Sequence, residues 1–235
     1  MRRRWPLKFI HFLDDIFNVD DAWLMEFCEV YPREVGLPFD VILRTNLTTA
    51  EHMRRLRAAG CISARLAFEA ASDHVRNKVY RKGTSLADLR NSARYVKDQG
   101  IRLTTLNLLG APGSTLEDEL ATLALNVDCK VDHPLVSLLQ PYPETDINDI
   151  TREMGFAVDG FDQFPEKFNR TTSIAFDRRL EGRVLDFGDM LAAMARDPAS
   201  FVGVIPDLPG GKELLAAPRY FRDGFIFPYL GGLGF

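Results

Sequence analysis

The chain has 235 residues, 46% of them hydrophobic and 26% charged, with a formal net charge of -4, an ordinary balance for a globular protein. That charge provides no basic footprint for nucleic acid or an anionic membrane, and no apolar run reaches the ~18 residues of a membrane span. Arg2-Arg3-Arg4 is followed by Trp5 and Pro6 with no apolar stretch behind it, so it does not read as a signal peptide.

In chain order, "KFIHFLDD" (8–15) reads as a buried strand that ends in two adjacent acids, Asp14 and Asp15. "DAWLMEFCEVY" (21–31) reads as a helix, with Trp23, Phe27 and Val30 on one face. "FDVILRTN" (39–46) is the next strand. "TTAEHMRRLRAAG" is a helix opened by a Thr48-x-x-Glu51 capping box and closed by Gly60. "ISARLAFEA" (62–70) is a strand, and after a polar connection "SLADLRNSARYVKDQG" (85–100) is a helix with the stripe Leu86, Leu89, Ala93 and Val96. "IRLTTLNLLG" (101–110) is a strand. "STLEDELATLALNV" (114–127) is a helix starting from a Ser114-x-x-Glu117 box, with Leu116, Leu120, Leu123 and Val127 inward. "PLVSLLQPYP" (134–143) closes the series as a strand. From about residue 146 the pattern stops: 161–176 is aromatic and irregular, one helix is predicted around 184–196, and the glycine-rich, aromatic end packs on the sheet or is partly disordered.

Strands and helices that alternate with crossovers of this length predict an α/β fold with a parallel sheet, open or barrel-like. In either architecture ligands sit at the carboxyl ends of the strands. Those ends carry Asp14 and Asp15; Arg44 and Asn46; Glu69; Asn107 and Gly110; and Gln140 and Tyr142. Asp14-Asp15 reads either as a ligand site or as an acid pair stabilised by the dipole of the next helix. A carboxylate after a buried strand, such as Glu69, needs a ligand, a cation or water, and Arg44 is a candidate ion-pair partner. "LLGAPGST" (108–115) reads as an anion-cradling turn or as a plain tight turn; it is neither a Walker loop nor a G-x-G-x-x-G. The four histidines show no metal-ligand spacing. Cys28, Cys61 and Cys129 form neither a disulfide framework nor a zinc motif, and read as small buried residues in a reducing cytoplasm. A metal-dependent hydrolase using Asp15 and Glu69 would lack the expected histidines.

"FLDDIF", "VILRTN", "LRAAGCISARLAFEAASDHVRNKVYRKGTS", "GIRLTTLNLLGAPGSTLEDELAT" and "LQPYPETD", in this order, resemble the radical S-adenosylmethionine (SAM) enzymes. The likeness is greatest to the branch that often carries an N-terminal cobalamin-binding domain, and it spans residues 8 to 146. The resemblance implies a partial (β/α) barrel in which "FIHFLDDIF" is the family's second strand. The first strand and its Cys-x-x-x-Cys-x-x-Cys loop, which holds a 4Fe–4S cluster in the family, are then expected upstream of Met1. It also implies that SAM is cleaved reductively at that cluster to start radical chemistry. Asp14 and Asp15 would lie near the SAM amine, and Arg44 and Glu69 would face the SAM carboxylate and the ribose or amine. Gly110 and its neighbours would flank the nucleoside, Asn107 would be a further cofactor-binding residue, and Gln140 and Pro141 would lie near the adenine.

The chain departs from the family in two ways. No Cys-x-x-x-Cys-x-x-Cys occurs in it, and Ser114 stands where the family usually has Glu. The expectation is therefore a radical SAM core fragment over residues 1–146, strands two to six, followed by an irregular, partly helical extension of unknown role over 147–235. The intact protein would be a cytoplasmic enzyme with SAM and a cluster as cofactors, and cobalamin would enter through a missing N-terminal domain or partner chain. This chain alone holds no cluster ligands, and the alternative is a degenerate domain that binds SAM or a protein without catalysis. The substrate is not legible.

Overall fold

Pro38 and Asp40 accept the first inter-strand hydrogen bonds of the chain, from the amides of Ile10 (3.0 Å) and Phe12 (3.2 Å). They make β1, Ile10–His11, parallel to β2, Phe39–Leu43. The computed structural model describes residues 7–155, together with the backbone of Ala157–Val158 and Ile174–Ala175. The expected helix at 184–196 and the aromatic end lie outside the described residues.

The strand expected over 8–15 is thus short. β1 stands at the edge of the sheet, and the chain leaves it at Phe12 for a turn over residues 15–18. α1, Asp21–Glu34, is capped by the Asp20 carboxylate, which accepts from Trp23 N at 3.0 Å. Its buried stripe is Leu24, Cys28 and Tyr31, one residue round from the expected face, and Trp23 and Val30 remain exposed. The rotation lets Phe27 and Tyr31 meet Phe12 and Phe39 edge-on, with ring centroids 4.8–6.1 Å apart.

α2, Ala50–Ala59, is capped by Thr49, which accepts from His52 N, and not by Thr48. Thr48 is buried, and its hydroxyl donates to Arg44 O at 2.9 Å. Gly60, at φ +106°, ends α2 in a conformation that disfavours a side chain. Between α1 and α2, His52 Nε2 donates to the Asp21 carboxylate at 2.6 Å.

β3, Cys61–Glu69, pairs with β2 in parallel, Val41 against Ala64 and Leu43 against Leu66. A π-helical stretch over His74–Val79 follows, then α3, Leu86–Asp98, which opens on a Ser85/Asp88 capping box. β4, Arg102–Leu109, leads to α4, Leu116–Asp128, whose box is Thr115/Asp118, one residue beyond the expected Ser114/Glu117. β5 is His133–Leu138, and α5, Asp146–Glu153, is a helix where the sequence pattern was expected to stop. β6, Ala157–Val158, pairs antiparallel with β7, Ile174–Ala175.

The five main strands follow one another in chain order, β1-β2-β3-β4-β5, in one sheet. This is the expected α/β fold class. Packing divides the chain into two units. The described residues up to Phe68, with Thr84–Leu106, form the first, and Glu69–Gly83 with the described residues from Asn107 onward form the second. In the first unit Leu24, Phe39, Val41, Leu43, Met53, Leu56, Leu66, Phe68, Leu89 and Leu103 fill the layer between sheet and helices. In the second, Ala70, Val75, Val79 and Ala111 form a small core against which Tyr80, Ile147 and Ile150 pack.

Candidate functional site at the strand ends

In the first unit, Asp14 and Asp15 are both exposed where the chain leaves β1. They are not the acids of the next helix, because Asp20 caps α1 and Asp21 occupies its first turn. Arg44 is exposed just after β2, and its Nε donates to Asn46 Oδ1 at 3.0 Å. Its backbone is held by the buried Asn18, which accepts from Arg44 N at 2.9 Å and donates to Arg44 O at 3.3 Å. Deeper in the strands, Asp40 is clamped between Arg65, whose Nη2 donates at 2.6 Å, and His11. The sequence reading missed this trio. Its signal is polar residues at the same face positions of three neighbouring strands.

The second unit holds the ends of β3, β4 and β5. Glu69 closes β3 at φ +60°, a left-handed conformation that costs a non-glycine residue about 1–2 kcal/mol. Only 13% of its side chain is exposed, and Lys82 Nζ lies 2.8 Å from its Oε1. The segment that brings Lys82 back is anchored by Arg76. That side chain is 1% exposed and donates to Ala70 O (3.0 Å), Ala71 O (2.8 Å) and the Asp73 carboxylate (3.0 Å). The backbone of Arg76 accepts in turn from Lys82 N at 3.1 Å. Tyr80, between these residues, donates its hydroxyl to Leu108 O at 3.0 Å. Burial holds the Tyr80 phenol well above its ordinary range, and the charges of Glu119 and Glu69 add to the effect.

α4 presents a row of buried polar side chains. Thr122 accepts from Ala71 N at 2.9 Å. Asn126 donates to Asn107 at 2.9 Å, and Asn107 donates to Leu135 O at 3.1 Å. Glu119 Oε1 accepts from Gly110 N and from the Ser114 hydroxyl, both at 2.9 Å. Burial pushes the Glu119 carboxyl up to about 7, against the opposing pull of those two hydrogen bonds. Asn107 is therefore engaged beneath α4. Gly110 stands at φ +75° in the turn, closed by Ser114 N donating to Ala111 O at 3.0 Å. Leu139 N donates to Leu109 O at 2.8 Å, so Gly110 and Gln140 follow directly on a bonded pair. Gln140 and Pro141 are buried, and Pro141 O accepts from Asn148 of α5 at 2.8 Å. Glu69, Gly110, Gln140 and Pro141 thus occupy three strand ends of one unit. Glu119, Arg76, Tyr80 and Lys82, which the sequence reading missed, support them.

Compared as a sequence, the chain matches no protein-family model and no curated protein. Compared as a fold, it is similar to the radical S-adenosylmethionine methyltransferase TsrM from Kitasatospora setae, solved with cobalamin and a 4Fe–4S cluster. The TM-score is 0.54 at 21% identity, over 63% of this chain and 31% of that one. It is also similar to coproporphyrinogen III oxidase (HemN) from Escherichia coli, described as a radical SAM enzyme. Here the TM-score is 0.53 at 12% identity, over 64% of this chain and 41% of that one. These likenesses give the fold, the partial (β/α) barrel of the radical SAM type, and the chain spans well under half of either relative.

The Glu69 carboxylate holds the Lys82 ammonium. A 4Fe–4S cluster does not fit, since it needs thiolates at one locus. Among the described residues no group of three or more His, Cys, Asp or Glu side chains could hold a metal ion. Burial pushes the thiols of Cys28 and Cys61 up to about 11 and about 12, which keeps both protonated. No helix of the described residues is long and apolar enough to cross a membrane.

Proposed function

We propose that this chain is the S-adenosylmethionine-binding portion of a radical SAM-type enzyme, and that the thiolates for the cluster come from other polypeptide. The observation that carries the reading is Glu69. A carboxylate held at a strand end in a strained backbone conformation, mostly shielded from water, and already paired with an ammonium is a preorganised cation site. On this reading Glu69 takes the ligand ammonium. The turn at Gly110 and the buried end of β5 at Gln140 and Pro141 flank its nucleoside. Asn107 acts from beneath by fixing α4 on β4.

Isothermal titration of the full chain with SAM tests the reading. One molecule is expected to bind per chain, and Glu69→Gln is expected to weaken it about tenfold, or 1.4 kcal/mol. A folded chain that takes up no SAM overturns the proposal.

A second reading, a domain that binds SAM or a protein without radical chemistry, is favoured by the burial of Cys28 and Cys61 as protonated thiols. Translating the DNA upstream of the Met1 codon separates the two: an in-frame Cys-x-x-x-Cys-x-x-Cys supports the enzyme, and an unrelated region supports the binding domain.

A further inference from the structure

Glu119 is an acid where a helix that packs on a sheet ordinarily carries a hydrocarbon. It is buried, and its Oε1 accepts from two donors of the same turn, the Gly110 amide at its start and the Ser114 hydroxyl at its end. The middle of the turn is held by Ala111, buried in the core with Ala70, Val75 and Val79, by the buried Pro112 and by the bond from Ser114 N to Ala111 O, whereas glycines at φ +75° and +74° occupy positions 110 and 113. The two glycines are permissive, so the ends of the turn depend on what grips them.

We propose that Glu119 is the positioning residue of the 110–114 turn. Its buried carboxylate fixes the turn in the form that a bound nucleoside meets, and the proton it gains or loses sets how tightly that ligand is held. This rests on the reading of the chain as SAM-binding.

Ionised, the carboxylate makes two charge-assisted hydrogen bonds, about twice as strong as neutral ones. Protonated, it loses that advantage and, with the acid still buried, its grip on the turn loosens locally; unfolding, which exposes the acid to water, depends on pH with the opposite sign. The acid changes state at about 7, so both forms exist near neutrality. The ionisable groups that act on it are few: Asp118 beside it on α4, and Tyr80 from the 69–83 segment, which in turn senses Glu69. The Gly110 amide and the Ser114 hydroxyl are the neutral partners that favour the charged form.

The experiment uses the full chain and two readouts. SAM affinity is measured by calorimetry, and the protection factor of the Gly110 amide is measured by hydrogen exchange without SAM, both from about pH 6 to about pH 8. Wild-type affinity is expected to fall three- to tenfold on acidification with a midpoint near 7. Glu119→Gln, which cannot ionise, is expected to give a flat profile at the acid value. Gly110 protection is expected to follow the same pattern. A Glu119→Gln profile with the wild-type slope overturns the proposal. If the wild-type chain binds no SAM, the SAM reading fails and the exchange data decide on Glu119: protection that rises through neutrality only in the wild type supports it, and equal protection overturns it. Should Glu119→Gln fail to fold, Ser114→Ala serves instead. Losing a bond that favours the ionised acid must move the midpoint to higher pH, and an unmoved midpoint overturns the proposal.

Discussion

Lys82 Nζ lies 2.8 Å from Glu69 Oε1, yet the two partners are unequally buried: 42% of the lysine side chain is exposed, and 13% of the glutamate. Removing either partner therefore has different consequences. Glu69→Gln leaves a lysine that water can solvate, whereas Lys82→Met leaves a shielded carboxylate without its cation. Urea denaturation is expected to show Lys82→Met costing about 1–2 kcal/mol and Glu69→Gln less than about 1 kcal/mol. Equal costs would mean that the carboxylate is better hydrated than its burial indicates.

Glu119 gives the chain a pH-dependent stability of defined sign. Its folded value is raised from the ordinary 4.5 to about 7. Between these limits the folded chain keeps a proton that the unfolded chain releases. The contribution is complete below about 4.5 and is lost as pH rises through about 7, a change of about 3 kcal/mol. Glu119→Gln is expected to remove that slope and to be the more stable protein at alkaline pH. A wild-type chain whose stability relative to the variant stays constant across the window contradicts the burial of this acid.

Arg76 should be the most sensitive residue of the 69–83 segment. Its guanidinium donates to Ala70 O, Ala71 O and Asp73, a forked geometry that an ammonium cannot copy. Arg76→Met leaves two carbonyls unsatisfied and is expected to cost about 3 kcal/mol or more. Arg76→Lys is expected to recover only part of that. Limited proteolysis should find the segment cut first in both variants; if Arg76→Lys matches the wild type, the fork is not what holds the strap.

Anaerobic reconstitution with iron and sulfide is expected to leave the isolated chain without stoichiometric iron. In the same preparation Cys28 and Cys61 should resist thiol reagents until the chain unfolds, since both are buried as thiols. A chromophore with four irons per chain would end this account of the cysteines.

The alternation of strands and helices was legible because each crossover helix and each buried strand writes its own period in the sequence. What the sequence blurred has physical causes. The caps of α2 and α4 each moved one residue because Thr48-Thr49 and Ser114-Thr115 offer two hydroxyls in a row, and only the backbone geometry chooses between them. α5 was missed because its eight residues contain only two apolar ones, Ile147 and Ile150. Arg76 and Tyr80 were missed because the stretch from Ser72 to Gly83 reads as polar loop, although it folds round a buried arginine.

The candidate site was half legible. The rule that ligands sit at strand ends flagged Glu69, Gly110 and Gln140. Asn107 was flagged by the same rule, but alternation along β4 turns it under α4. Glu119 looks like one more surface acid in "LEDEL". Its signal was spacing: it lies four residues before Leu123 and seven before Asn126, on the inward face of α4.

The aromatic cluster round Phe12 has a practical outcome. The chain has two tryptophans, Trp5 and Trp23, and Trp23 belongs to the first unit. Trp23 stacks on Phe27 with ring centroids 5.4 Å apart and meets Phe17 edge-on at 5.0 Å. With Trp5 replaced by phenylalanine, indole emission is therefore a private reporter of that unit. A tryptophan placed at Tyr142 in a Trp-free background would report on the other unit. The two optical signals, followed side by side in one denaturation, would reveal whether the units come apart together or in turn.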